Sequence, residues 1–168
     1  MKKMTCRAKS NFNCSLERAF KTPILGDATK TLTGYFMVPG VSHFTEDKTW
    51  GNEGGSRIPH SKKNLFSKGG PVGFDEILVR RENAYWKWKI GGFRQWMVWF
   101  SSFQGELFFS EREDKTIDVY WVYTLTSKSS LTRPFQWVFA KVIWQRNMKQ
   151  AIKRMKFLAE TEAPYIYS

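Results

Sequence analysis

Between residues 41 and 127 the sequence is a succession of strand-like segments joined by gaps too short to hold a helix, which limits the fold more than any other feature of the chain. The segments fall at 41–50, 55–61, 73–82, 84–92, 96–111 and 116–127, most of them rich in β-branched and aromatic residues. Gly51-Asn52-Glu53-Gly54-Gly55, Glu82-Asn83 and Glu113-Asp114-Lys115 are turns of hairpin length, and 67–73, with three glycines and a proline, is a longer loop. Parallel neighbours need a crossover of about a dozen residues or more. The strands therefore pair antiparallel as a meander whose two edges must be closed or covered.

The end of the chain supplies a cover. Pro134 suits a first helical turn, and Trp137, Ala140, Trp144, Met148, Ala151, Met155 and Leu158 follow at spacings of three and four as one stripe. A helix over 134–160 is about 40 Å long, enough to lie across a curved sheet. Its back face is basic in the second half (Arg146, Lys149, Lys153, Lys156) and apolar in the first (Phe135, Phe139, Val142, Ile143), a patch that needs covering by a loop, a second copy of the chain or a membrane. At the other end, residues 4–13 alternate as a half-buried strand, with Cys6, Ala8, Ser10 and Phe12 on one side. Ser15 then caps a short helix, and 27–40 reads as a loop or second short helix. The expectation is a single α+β domain over 1–168.

Composition narrows the partners. Of 168 residues 42% are hydrophobic, enough for a core without disulfide or metal staples, and 17% are aromatic, more than packing alone usually needs. The net charge of +12 favours an anionic partner. Lys62, Lys63, Lys68, Arg80, Arg81, Lys87 and Lys89 cluster around one loop and two strand backs, which suits an anionic membrane surface. Nucleic acid is disfavoured because single-strand binders need exposed rings, whereas strand parity buries these. Residues 4–13 lack the apolar stretch of a signal peptide and the longest apolar run, 96–100, cannot cross a bilayer, so a cytoplasmic protein is expected. Cys6 and Cys14 lie about 26 Å apart along the strand, beyond bridging reach. His43 and His60 lack a metal-ligand spacing, and no pattern calls for a metal, a cofactor or a catalytic nucleophile.

Local sequence resembles one superfamily. Pro39-Gly40-Val41, then Trp50, then Gly54-Gly55-Ser56-Arg57 is similar to the proline loop, strand, Gly-rich turn and arginine-bearing strand of the START-like, polyketide cyclase and dehydrase (SRPBCC) proteins. Phe74-Asp75-Glu76-Ile77-Leu78 resembles their following strand, Asp114-Lys115-Thr116 a turn, and 155–160 their closing helix, so the likeness spans about 5–160. The longer and more basic segment 59–73 departs from the pattern. The resemblance implies a helix-grip fold: a curved antiparallel sheet of about seven strands wrapped around a long C-terminal helix, with two short helices after strand one. It also implies a cavity for apolar or aromatic molecules. Members include lipid carriers, aromatases and cyclases, hormone receptors and chaperone activators, so fold does not settle function.

Within that frame Trp86, Trp88 and Ile90 share a parity, as do Met97, Trp99, Phe103, Leu107 and Phe109, and Ile117, Val119, Trp121, Tyr123 and Leu125. These build an aromatic wall, either a plain packed core or a cavity of about 300–1,000 Å³. The expected ligand-lining residues are Arg57, Glu76, Trp86, Trp88, Trp99, Phe103, Trp121, Tyr123, Trp144 and Met148. Arg57 and Glu76 stand on neighbouring strands and pair inside if Phe74, Glu76 and Leu78 face inward; the opposite parity places Ile77 and Val79 inside and Glu76 outside. The expected function is binding or transport of a hydrophobic or aromatic molecule, lipid or polyketide-like, without chemistry. The alternatives are an aromatase- or cyclase-type enzyme using Arg57, Glu76 and Tyr123 as acid, base or oxyanion donors, and a module that docks on a protein, on a second copy or on an anionic membrane through the C-terminal helix.

Overall fold

The computed structural model describes residues 3–94, 99–129 and 131–165. In chain order the elements are β1 (Lys3–Phe12), α1 (Leu16–Leu25), α2 (Ala28–Thr31), β2 (Gly34–Tyr35), β3 (Val38–Pro39), β4 (Val41–Glu46), β5 (Ser56–Ser61), β6 (Gly70–Pro71), β7 (Phe74–Arg81), β8 (Tyr85–Gly91), β9 (Phe100–Glu111) and β10 (Ile117–Ser127). The C-terminal helix then runs as α3 (Arg133–Val138), a π-helical turn (Phe139–Trp144) and α4 (Gln145–Glu160). The main sheet is antiparallel in the order β1-β10-β9-β8-β7-β5-β4, with β6 paired to β5. This is the α+β meander expected, and β2–β3 is a separate small hairpin within 27–40. Positions 96–98 of the expected strand 96–111 lie outside the described residues.

Local chemistry accounts for the entry into the grip. Ser15 accepts a hydrogen bond from the Arg18 amide to start α1, whose Ala19, Phe20, Ile24 and Leu25 are buried. The stacked pair Phe20–Trp86, 4.7 Å between centroids, ties α1 to the sheet, and the Trp86 indole donates to the Phe20 carbonyl at 2.9 Å.

The C-terminal helix protects the β1 edge. Lys141 donates to the Thr5 carbonyl (2.7 Å) and Lys156 to the Asn11 carbonyl (2.6 Å). The Gln145 amide both donates to the Arg7 carbonyl and accepts from its N–H, and Glu160 accepts from the Asn13 N–H at 2.6 Å. Four side chains thus occupy backbone groups that an open edge would leave free to pair elsewhere.

Two local irregularities correct the expected inward faces. The buried positions of α4, including Met148, Ala151, Ile152, Met155 and Leu158, project back at 3.6 residues per turn through Trp144 to Trp137. The π turn, closed by Gln145 N–H to the Ala140 carbonyl, adds one residue and moves that stripe to Ile143, Phe139–Ala140 and Gln136. Trp137 is consequently exposed, and Phe139 and Ile143 are internal rather than part of a back-face patch; only Phe135 and Val142 of that quartet face solvent. Gln136, fully buried, is held by Ser127 Oγ donating to its Oε1 (2.5 Å) and by its own amide donating to Thr132 Oγ1 and the Trp99 carbonyl, each at 2.9 Å.

The second irregularity is a bulge in β9. Thr126 pairs with Ser102 but Ser127 with Phe100, so one extra residue reverses the parity. Phe100 turns inward, whereas Trp99 is 42% exposed and packs edge-on against Phe135 (4.8 Å) outside the grip. A corresponding slip in β7 between Ile77 and Val79 puts Val79 opposite Lys87.

Side chains on the concave face form cross-strand rows, one of which joins Ile77, Trp88, Gly105, Tyr123 and Cys6. A Cβ on Gly105 would lie 2.2 Å from Trp88 Cζ2, so the missing side chain is what lets the indole lie across β9 toward Tyr123. Gly105→Ala is expected to displace Trp88 and lower stability by about 1–3 kcal/mol, read as a fall in the denaturation midpoint with a changed near-UV tryptophan signal.

Candidate functional site

Between the concave face, α1, the β2–β3 hairpin and the C-terminal helix lies a cavity of about 120 Å³. Its apolar wall takes Ile90, Phe103, Leu107, Trp121 and Trp88 from the sheet, Pro23 and Ile24 from α1, and Trp144 and Met155 from the helix. The expected 300–1,000 Å³ is not reached because the rings pack on each other. Tyr123 sits within 5.3–6.1 Å of Trp144, Trp121, Trp88 and Phe103, centroid to centroid, and Phe103–Trp144 is 5.0 Å.

One end of the cavity is polar. Glu46, Arg57 and Asp75 are direct cross-strand partners on β4, β5 and β7, and they form a row of carboxylate, guanidinium and carboxylate. Arg57 Nε donates to Asp75 Oδ2 at 3.1 Å and its Nη1 to Glu46 Oε1 at 3.4 Å. The guanidinium carbon lies 3.9 Å from the centroids of both Phe44 and Trp50, so two rings clamp a cation that is only 6% exposed. Two such rings and two carboxylates are what make its burial tolerable. Burial pushes the Asp75 carboxyl above the usual carboxylate range against the opposing pull of Arg57, and the charge of Glu46 adds to the rise.

Tyr123 joins this pole from β10. The Trp88 indole donates to its hydroxyl at 3.2 Å, which leaves the Tyr123 proton available to another acceptor. Burial first and the charge of Asp75 second push its ionisation upward, so it remains a neutral donor. Three buried polar atoms of the cavity-lining residues have no hydrogen-bond partner: Asp75 Oδ1, Trp121 Nε1 and Trp144 Nε1. The other thiol-bearing and imidazole groups stand apart. Cys6 donates to the Ala140 carbonyl at 3.0 Å, burial pushing its thiol up to about 11, and His43 and His60 stack at 4.2 Å on the outer sheet edge. Among the described residues no three His, Cys, Asp or Glu side chains converge to hold a metal ion.

Of the residues expected at a site, Arg57, Trp88, Phe103, Trp121, Tyr123 and Trp144 line the cavity together. Glu76 does not: the register sets Arg57 against Asp75 and Ser56 against Glu76, so the carboxylate on the cavity wall is one residue earlier. Trp86 is buried under α1, Trp99 lies outside because of the β9 bulge, and Met148 is buried but is not part of the wall, where Asn147 and Met155 stand instead. Asp75, Phe44 and Asn147 were not anticipated. The inverse parity of 74–78 was the signal for Asp75; nothing in the sequence singles out Phe44 or Asn147.

Asp75→Ala is expected to leave Arg57 short of one carboxylate and to cost about 3 kcal/mol in a chemical denaturation experiment. Glu76→Gln, on the outer face, is expected to change the midpoint by no more than about 0.5 kcal/mol. The reverse order of effects would make Glu76 the partner of Arg57.

Comparison with known proteins adds fold information. No protein-family model matches the chain, and no curated protein does. Solved structures do. The crystal structure of Ara h 8.0201 matches with a TM-score of 0.70 at 10% identity, over 95% of this chain and 99% of that one. A Staphylococcus aureus protein of unknown function matches with a TM-score of 0.69 at 17% identity, over 96% of each chain. A point mutant of Thalictrum norcoclaurine synthase, in complex with a transition-state analogue, matches with a TM-score of 0.68 at 7% identity, again over 96% of each. What these proteins share with this chain is its architecture, the helix-grip fold.

Proposed function

We propose that the protein binds a small hydrophobic or aromatic molecule in the cavity between sheet and C-terminal helix. The observation that carries this reading is a part-open space walled by rings with unpartnered polar atoms on its lining residues, where a plain core would close the space and pair those atoms. The neighbours are consistent with it but do not choose between binding and chemistry: one is a synthase crystallised with a transition-state analogue, another has no known function.

Toluene tests the reading. With Trp88, Trp121 and Trp144 in the wall, its entry is expected to change tryptophan emission saturably. Val72→Phe, which adds bulk to the wall without adding charge, is expected to weaken the effect at least about tenfold while the protein stays folded. No saturable response in the unaltered protein would leave the cavity as packing imperfection.

A second reading, contact with an anionic membrane, is favoured by two loop tips next to the cavity. Phe36, in the β2–β3 turn, is 71% exposed and Leu65, in the segment between β5 and β6, is 90% exposed. The rings of Phe36 and Phe66 are 5.7 Å apart, and Asn64 reaches the Met37 carbonyl, so the two tips form one protrusion. Lys62, Lys63 and Lys68 flank it, each adding about 1 kcal/mol near an anionic surface. Vesicles containing phosphatidylserine are expected to bind the protein in a salt-sensitive manner, and the double substitution Phe36→Ser, Leu65→Ser is expected to reduce binding about tenfold or more. Unchanged vesicle binding by the double variant would remove this reading. The basic, apolar C-terminal helix loses ground as the docking element because Phe139 and Ile143 are internal.

A further inference from the structure

The cavity volume and its polar groups together restrict what fits. About 120 Å³ is somewhat below the 150 Å³ in which an engineered apolar cavity holds benzene, so the space matches one aromatic ring and excludes sterol- or polyketide-sized ligands without rearrangement. The wall is rich in rings, with Trp88, Phe103, Trp121, Tyr123 and Trp144 among its lining residues, and aromatic faces and edges pair favourably with a further ring.

The polar groups at this space are of two kinds. Tyr123 Oη already accepts from Trp88 and has its own proton to give, and the unpartnered Trp121 and Trp144 indoles are donors only. Asp75 Oδ1, within a residue that is 5% exposed, is unpartnered while Oδ2 is held by Arg57. A carbonyl or ether on the ligand would serve the donors and leave Asp75 Oδ1 unpaired. An ammonium would serve Asp75, leave the donors unpaired and add a second cation near Arg57. A carboxylate would face Asp75 and Glu46. Of these groups only a hydroxyl both accepts the Tyr123 proton and donates to Asp75 Oδ1, whose burial without a partner is costly.

On the reading that this cavity binds a ligand, we infer that it selects a single aromatic ring bearing a hydroxyl group, with the hydroxyl seated between Tyr123 and Asp75. Specificity then arises because a ring without the hydroxyl leaves buried polar groups unpaired, a stronger discrimination than apolar contact provides.

The experiment compares phenol with toluene, which match in size and differ in the hydroxyl, by titration calorimetry and tryptophan emission on the unaltered protein, Tyr123→Phe and Asp75→Asn. The unaltered protein is expected to bind phenol about tenfold more tightly than toluene, a difference of about 1.4 kcal/mol. Tyr123→Phe is expected to keep toluene binding and lose the preference, and Asp75→Asn to reduce it. Should Asp75→Asn not fold, Tyr123→Phe decides alone. Toluene binding as tight as phenol binding, or a preference that survives Tyr123→Phe, would overturn the hydroxyl assignment while leaving the cavity as a binding site. Failure of both compounds to bind would overturn the cavity reading itself.

Discussion

A curved sheet with an apolar concave face needs a cover that follows its length, and here the cover is one helix that changes geometry part-way. The π turn Phe139–Trp144 shifts the helix by one residue, so that Gln136, Phe139 and Ile143 face the sheet on one side of the turn and Met148, Ala151 and Met155 on the other. Trp144, the last residue of the turn, stands on the cavity wall, and the Ala140 carbonyl within the turn accepts from Cys6 of β1. Edge protection of β1 and part of the cavity lining are both supplied by this one helix.

Against this apolar enclosure the Glu46–Arg57–Asp75 row is the exception that gives the cavity a direction. Two buried charges, Arg57 and Asp75, and the half-buried Glu46 stand side by side because three adjacent strands place them in register and because Phe44 and Trp50 clamp the cation. A slip of one residue would set Arg57 opposite Phe74 or Glu76 on β7 and opposite Thr45 or Asp47 on β4, and would break the row. Gly105 acts in the same manner on the next row, where the absence of a Cβ brings Trp88 and Tyr123 within hydrogen-bond reach across an intervening strand. The polar pole and the ring cage are thus both consequences of strand register, the first through charge and the second through a vacancy.

Much of the architecture was legible in the sequence. The expected strands are separated by one to eleven residues, too few for a helical crossover, and a stripe of apolar residues over more than twenty positions needs a long helix. The parity of Trp86, Trp88 and Ile90 also stood, since β8 has no bulge to disturb it. Parity failed where one residue was inserted: at the β9 bulge for Trp99, and at the π turn for Trp137. Neither insertion leaves a mark in local propensity, because a bulge or a π turn is stabilised by what it packs against and not by the residues that form it.

What the sequence determined by itself is accordingly the order of elements, their antiparallel pairing and the presence of a ring-lined interior, all of which follow from periodicity and turn length. Only the tertiary structure decided which carboxylate meets Arg57, how little space the rings leave, and which indoles reach that space. Those outcomes depend on register and on volume, and both are set when residues far apart in the chain compete for the same interior: Asp75 rather than Glu76 faces inward because β5 pairs with β7 at that offset, and the cavity is small because Trp88, Tyr123 and Trp144 converge from two strands and a helix.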